Sequence, residues 1–253
     1  SDTLGARLAG TWSDRDGYFK NTAVAIPGLG GTTLGGRNGG NENWIVRGTL
    51  VWNPSADFKA RLKVNVTRDN SNSPTGLQGV SCPSGTGPGA LGIQFIGGTH
   101  PCQQDDEVEY VGMDPNFFGG LFPDGSPALR NDGGPFTDIR QRFGVLEMDY
   151  NVTPDILLTS TTTYYHNVTD TMANGVYSGA AGPTLFADNH FKRRDTTQEL
   201  RLESDFQDSP LNFLLGGYYQ DAVMKNRIYV GGNMALGLPA TLTAGTHDLD
   251  IKS

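Results

Sequence analysis

The stretch "CQQDDEVEYVGMD", residues 102–114, gathers Asp105, Asp106, Glu107, Glu109 and Asp114. Oxygen-rich loops of this kind can hold Ca²⁺, but the ordered ligand spacing with its central glycine is missing. A solvated acidic loop is the better reading, and no metal site is expected. The histidines, His100, His166, His190 and His247, show no zinc-like pairing. No nucleophile–histidine–acid arrangement stands out, so no catalytic residue is assigned and no enzyme is expected. "GLGGTTLGGRNGG" (28–40) lacks the Lys-Ser/Thr ending of a phosphate loop and does not join a buried strand to a helix. No cofactor is expected. The Asn-Val-Thr sequons at Asn65, Asn151 and Asn167 fall at strand ends, where Val and Thr are wanted anyway.

Binding chemistry is better placed in the long segment 69–138. It carries Asp105, Asp106 and Glu107 beside Tyr110, Phe117 and Phe118, groups that suit a polar ligand with flat or cationic parts. Loops of this length are usually functional. Cys82 and Cys102, with 19 residues between them, lie in the same Gly/Pro/Ser-rich stretch. A disulfide in an oxidising compartment is expected, and closing that loop would contribute about 3 kcal/mol in the chain-entropy model.

The elements that must carry such a loop are strands. "DFKARLKVNVTRDN" (57–70) sets Phe58, Ala60, Leu62, Val64 and Val66 against Lys59, Arg61, Lys63, Asn65 and Thr67. Strict alternation means one apolar and one polar face. The pattern returns at 4–12, 44–52, 142–152, 198–206 and 211–219, with charges Arg7, Arg47, Glu147, Asp149, Glu199, Arg201, Glu203 and Asp205 on the polar side. "ILLTSTTTYYH" (156–166) reads as a seventh strand from its β-branched and aromatic content. Its faces stay open, because both sets are threonine-rich. No charge interrupts the middle of the apolar face in the six assignable strands.

Short connections at 53–57, 152–155 and 207–210 are rich in Pro, Asp and Ser. They alternate with long segments at about 15–43, 69–138 and 168–194. Strands of about 9–11 residues with this alternation suit a transmembrane barrel, short turns inside and long loops outside. Trp12, Trp44 and Tyr219 then fall at the outer strand ends, and Trp52, Phe58 and Tyr150 at the inner ends. Two aromatic levels bracket an apolar band. The polar face is therefore a lumen, and Lys59, Arg61, Lys63, Glu147, Asp149, Glu199, Arg201, Glu203 and Asp205 line it. Such charges either touch a translocating ligand or pair with one another and with a plug, and pairing is the commoner arrangement.

The whole composition is compatible with this. The net charge is −8 over 253 residues, which argues against a nucleic-acid partner. The mean hydropathy is −0.38, and no apolar run approaches the roughly 20 residues of a spanning helix. Barrel strands give a far weaker signal. "SDTLGARLAG" at the start contains no apolar core of a signal peptide.

"DTTQELRLESDFQDSPLNFLLGGYYQD" (195–221) resembles a barrel hairpin of TonB-dependent outer-membrane receptors. "ARLAGTWSDRDGYFKN" (6–21) and "GTLVWNPSADFKARLKVNVTRDN" (48–70) are similar to early barrel strands of that family. The resemblance implies an all-β, antiparallel up-and-down barrel in the bacterial outer membrane, surrounded by lipid. It also implies TonB-energised uptake of a scarce small molecule, such as a ferric siderophore or other metal chelate. Members place an N-terminal plug with a TonB-contacting segment inside the barrel, and neither is seen before Ser1. Residues 1–253 therefore read as an incomplete, N-terminal part of the barrel, with TonB contacted through the absent plug. "HDLDIKS" at the end looks like the start of a further strand. A passive porin-type channel and a secreted soluble β-sheet binding protein are the alternatives.

Overall fold

A computed structural model describes residues 3–72, 105–108, 110–118, 133–174 and 185–252. Its main body is one eight-stranded antiparallel sheet. In chain order the elements are β1 (Leu4–Arg15), β2 (Phe19–Asn21), β3 (Gly31–Thr33), β4 (Arg37–Asn38), β5 (Asn41–Trp52) and β6 (Phe58–Ser71). There follow β7 (Glu107–Val108), β8 (Val111–Met113), the single helical turn α1 (Pro115–Phe118), β9 (Phe136–Thr153), β10 (Ile156–Asn174), β11 (Leu185–Ser204), β12 (Leu214–Gly232) and β13 (Thr243–Lys252). The large sheet runs β1-β5-β6-β9-β10-β11-β12-β13. It is a simple meander in which each long strand pairs with its neighbours in sequence. The sheet is not closed, and β1 and β13 are its two edges.

The predicted alternation holds in the lower halves of the strands, nearest the short turns, and pairing extends it. Leu158 stands between Tyr150 and Leu202, which resolves the undecided strand. Leu158, Ser160, Thr162 and Tyr164 join the apolar face, and Thr159, Thr161, Thr163 and Tyr165 the polar one. A register shift at Ile156/Leu157 marks the entry to β10.

Several expected boundaries are corrected. Much of 168–194 is strand, because β10 runs to Asn174 and β11 starts at Leu185. The eighth strand, β13, begins at Thr243, earlier than "HDLDIKS" implied. Leu211 and Phe213 precede β12, and Asp205 lies beyond the end of β11 in the turn. Asp205 is held there by its N–H, which donates to the Asp155 carbonyl at 2.9 Å. The upper halves escaped prediction because polar side chains occupy both faces there, so period two carries no hydropathy contrast. Cys82 and Cys102 lie outside the described residues, so their pairing finds no support in the structure.

The buried core sits at the upper, long-loop end. Met113 and Phe118, from β8 and α1, pack with Phe136, Met172, Phe186 and Tyr229 on the tops of β9 to β12. Phe118 meets Phe186 edge-on at 5.3 Å between ring centroids. Gly30, at φ 71°, lets its loop pass there, since a Cβ would lie 2.7 Å from the Phe117 and Phe118 rings. By alternation these four sheet residues share a face with the apolar band below.

Two buried asparagines tie the loops down. Asn21 Nδ2 donates to the Tyr110 carbonyl at 2.7 Å, and the Tyr110 N–H donates back to Asn21 Oδ1 at 2.9 Å. A side-chain amide thus stands in for a strand partner. Asn233 caps the 3-10 turn Met234–Leu236 and also donates to the Leu29 carbonyl at 2.7 Å.

Candidate membrane and lumen surfaces

The apolar face of the sheet has three tiers. At the bottom, Leu8, Leu200 and Leu215 are bare, with exposures of 79%, 48% and 67%. At the top, Met172 and Phe186 on the same face are 0% and 1% exposed beneath the loops. Between them lies a charged tier. The loops therefore cover the upper apolar residues and leave the lower band uncovered.

The upper limit of the bare band is a slanted line of aromatic residues. Trp44 on β5 shares one cross-strand row with Arg68, Arg140, Val168, Lys192 and Lys225. Tyr164 on β10 lies four residues below that row after three strand steps, and Tyr219 on β12 six below after five. A drop of about 1.2 residues per strand, with about 3.3 Å of rise and 4.8 Å between strands, slants this line by about 40° from the cross-strand row. Membrane barrels tilt their strands by roughly 35–45°. In a sheet tilted by that amount these three residues would lie level with one another, as the aromatic residues of an interfacial girdle do.

On the opposite face the charges named from the sequence come together in part. Arg61 and Glu147 face each other across β6 and β9, with Nη2 and Oε1 at 2.6 Å. Lys59 stands opposite Asp149, whose carboxylate accepts from the Thr159 hydroxyl at 3.0 Å. Arg201 pairs with Glu199 along β11. Lys63 has Val145 across from it. Glu203 stands at the lower end of β11, opposite Leu214.

Sequence reasoning left Arg7 and Arg47 out of the lumen set. With Arg61, Lys63, Thr49 and Asn65 they line a recess of about 570 Å³ near the β1 edge. Arg47 donates to Asn65 Oδ1 at 2.7 Å. Their signal was present as lone charges in two separate strands, and only pairing places them side by side. Higher on this face, Asp195 is buried between Arg193, which donates to its Oδ2, and Gln220. Asn167, Asn189 and Asn226 there hold buried side-chain oxygens with no partner among the described residues.

The expected ligand-binding set divides. Tyr110 and Phe118 are core, at 4% and 0% exposure. Glu107 pairs with Lys20 at 3.1 Å, and β7 runs parallel to β2 there. The Asp106 carbonyl accepts from the Lys20 N–H at 2.7 Å. The Asp105 carboxylate accepts from the Glu107 N–H at 2.9 Å, in a local turn. Asp105, Asp106 and Phe117 present surface, and the rest hold the loop together.

No protein-family model matches this chain, and no curated protein matches it. Its structure is similar to parts of solved receptors. Against the ferric yersiniabactin uptake receptor FyuA from Yersinia pestis the TM-score is 0.55 at 14% identity, over 94% of this chain and 28% of that one. The siderophore receptor PiuA from Acinetobacter baumannii gives 0.52 at 13%, over 99% and 34%. The ferric preacinetobactin receptor BauA from the same organism gives 0.52 at 9%, over 97% and 30%. The chain spans about a third or less of the length of these receptors. At such identities the likeness is one of fold, and the resemblance to siderophore-type TonB-dependent receptor barrels stands at that level.

Proposed function

We propose that residues 1–253 are one arc of an outer-membrane receptor barrel that takes up a scarce nutrient, such as a ferric siderophore, with energy from the TonB complex. The observation that carries this reading is the bare apolar band, bounded above by an aromatic line whose slant matches the strand tilt of membrane barrels. A soluble protein rarely leaves a contiguous apolar face of this extent in water, so the secreted-binding alternative is disfavoured. The open edges at β1 and β13 are incompatible with lipid until further strands pair with them. Lipid is the partner of the apolar face, and the polar face lines the lumen.

In this reading, Arg7, Arg47, Arg61 and Lys63 form a cationic wall that attracts anionic groups of a metal chelate or of a plug. The loop surface at Asp105, Asp106 and Phe117 receives ligand from outside, while Glu107, Tyr110 and Phe118 hold that surface in place. TonB reaches the receptor through a plug segment, and no catalysis is involved.

The experiment is uptake of radiolabelled ferric chelates by cells with and without the full-length polypeptide that carries this arc, before and after collapse of the inner-membrane proton gradient. Receptor-dependent uptake that stops with the gradient is expected. Receptor-dependent entry that survives collapse would leave the passive porin-type channel as the correct reading.

A further inference from the structure

The charged tier of the lipid-side face contains an arrangement that pairing across strands should avoid. Arg142, His166 and Arg194 occupy one row on β9, β10 and β11, directly opposite one another. Two guanidiniums thus flank one imidazole, and no carboxylate stands directly opposite any of the three, although opposite charges are the favourable cross-strand partners. One row higher on the same face stand Lys192 and Lys225, themselves opposite each other. Elsewhere in this tier cations have carboxylates: Arg68 with Asp138 at 3.0 Å, Arg140 with Asp170 at 2.6 Å and Arg227 with Asp188 at 3.8 Å. Arg142, Lys192 and Arg194 are exposed and make no ion pair or hydrogen bond among the described residues. Lys225 has Asp248 at 3.5 Å. Tyr164, His166, Lys192, Arg194, Val223 and Lys225 enclose a shallow cavity of about 380 Å³.

The height of the cluster identifies what neutralises it. His166 is two residues above Tyr164 on β10, and Lys225 six above Tyr219 on β12. In a sheet tilted by about 40°, these are roughly 5 and 15 Å above the girdle. The first is the depth of lipid phosphates, and the second lies above them. Below lies the apolar band, with Leu200 exposed and Leu146 and Leu158 half-buried beside it, a surface suited to acyl chains.

We propose that this cluster binds a multiply phosphorylated lipid headgroup of the outer leaflet. Phosphates neutralise the Arg142–His166–Arg194 row, further anionic groups reach Lys192 and Lys225, and the acyl chains lie along the leucines. Arginine supplies paired donors that match phosphate oxygens. This site rests on the membrane reading above.

The test uses the full-length polypeptide in phosphatidylcholine bilayers containing bis-phosphorylated lipid A, its dephosphorylated form, or neither with inorganic phosphate added. Binding is read by native mass spectrometry, and insertion by protection of the strands from protease. Wild type should retain the phosphorylated lipid over the dephosphorylated form. The triple variant R142Q/K192Q/R194Q should insert normally and lose affinity for it at least about tenfold, equivalent to about 1.4 kcal/mol. R142K/R194K should keep most of the binding. Equal retention by wild type and the glutamine variant overturns the site. So does protection of the site by inorganic phosphate alone, which would make it a free-anion site. Failure of wild type to insert at all would instead bring down the membrane reading itself.

Discussion

Asn233 and Leu29 are joined across 204 positions of sequence by one hydrogen bond, Nδ2 to carbonyl oxygen, at 2.7 Å. The donor is wholly buried, and its Oδ1 is used as well, accepting from the Ala235 N–H at 3.0 Å. One side chain therefore links the β12–β13 loop to the loop before β3. Asn233→Ala takes this donor from the half-buried Leu29 carbonyl and removes the cap. The expected loss is about 1–3 kcal/mol of loop stability, read as faster amide exchange at residues 29–33 and 110–113. Unchanged exchange at both segments would mean that the bond does not hold the loops.

The aromatic pair in α1 divides its labour. Phe118 is fully buried against Phe186, while Phe117 is 36% exposed. Phe118→Ala is expected to cost about 3–5 kcal/mol, the usual range for a buried ring, and to open the loop cover to limited proteolysis. Phe117→Ala should leave the proteolysis pattern intact and reduce only ligand capture. Equal protease sensitivity in the two variants would contradict the assignment.

Val64 and Lys63 are adjacent in β6 and point to opposite faces. Val64→Arg places a cation on the bare band and should cost roughly 2–4 kcal/mol in a bilayer, lowering the yield of membrane-assembled protein. Lys63→Arg keeps a cation on the polar face and should assemble normally. Equal yields would remove the case for lipid on the apolar face.

The Arg61–Glu147 pair is about one-third exposed at each end. Solvent screening limits its contribution, and a double-mutant cycle with R61Q and E147Q should give a coupling of about 0.2–1 kcal/mol. The swapped pair R61E/E147R should recover most of it. A coupling above about 2 kcal/mol would place the pair in a far drier environment than an open lumen.

How much could be read without coordinates depended on contrast between faces. In β6, Leu62 and Val64 against Arg61 and Lys63 leave no doubt, and the same holds for Leu200 and Leu202 against Glu199 and Arg201. In β10 the run of threonines offered no contrast, and only the partners Tyr150 and Leu202 decided Leu158. Met172, Phe186 and Tyr229 were unrecognisable as core, because the loop that covers them comes from residues 110–118, far away in sequence. Arg142 and Arg194 drew no reading from the sequence, and His166 was weighed only as a metal ligand. Their juxtaposition exists only in the register.

The meander order has a consequence for biogenesis. From β1 to β13 each long strand pairs with the long strand made just before it, across connections that run from the two-residue turn after β9 to the long segment between β6 and β9. Such local pairing costs little loop-closure entropy, so the sheet can grow one hairpin at a time. At every stage two edges carry open backbone groups: that of β1, which stays fixed, and that of the most recent strand, which moves. Under the proposed membrane reading, an insertion machinery would need to shelter one fixed edge and one moving edge, not the faces of the whole sheet.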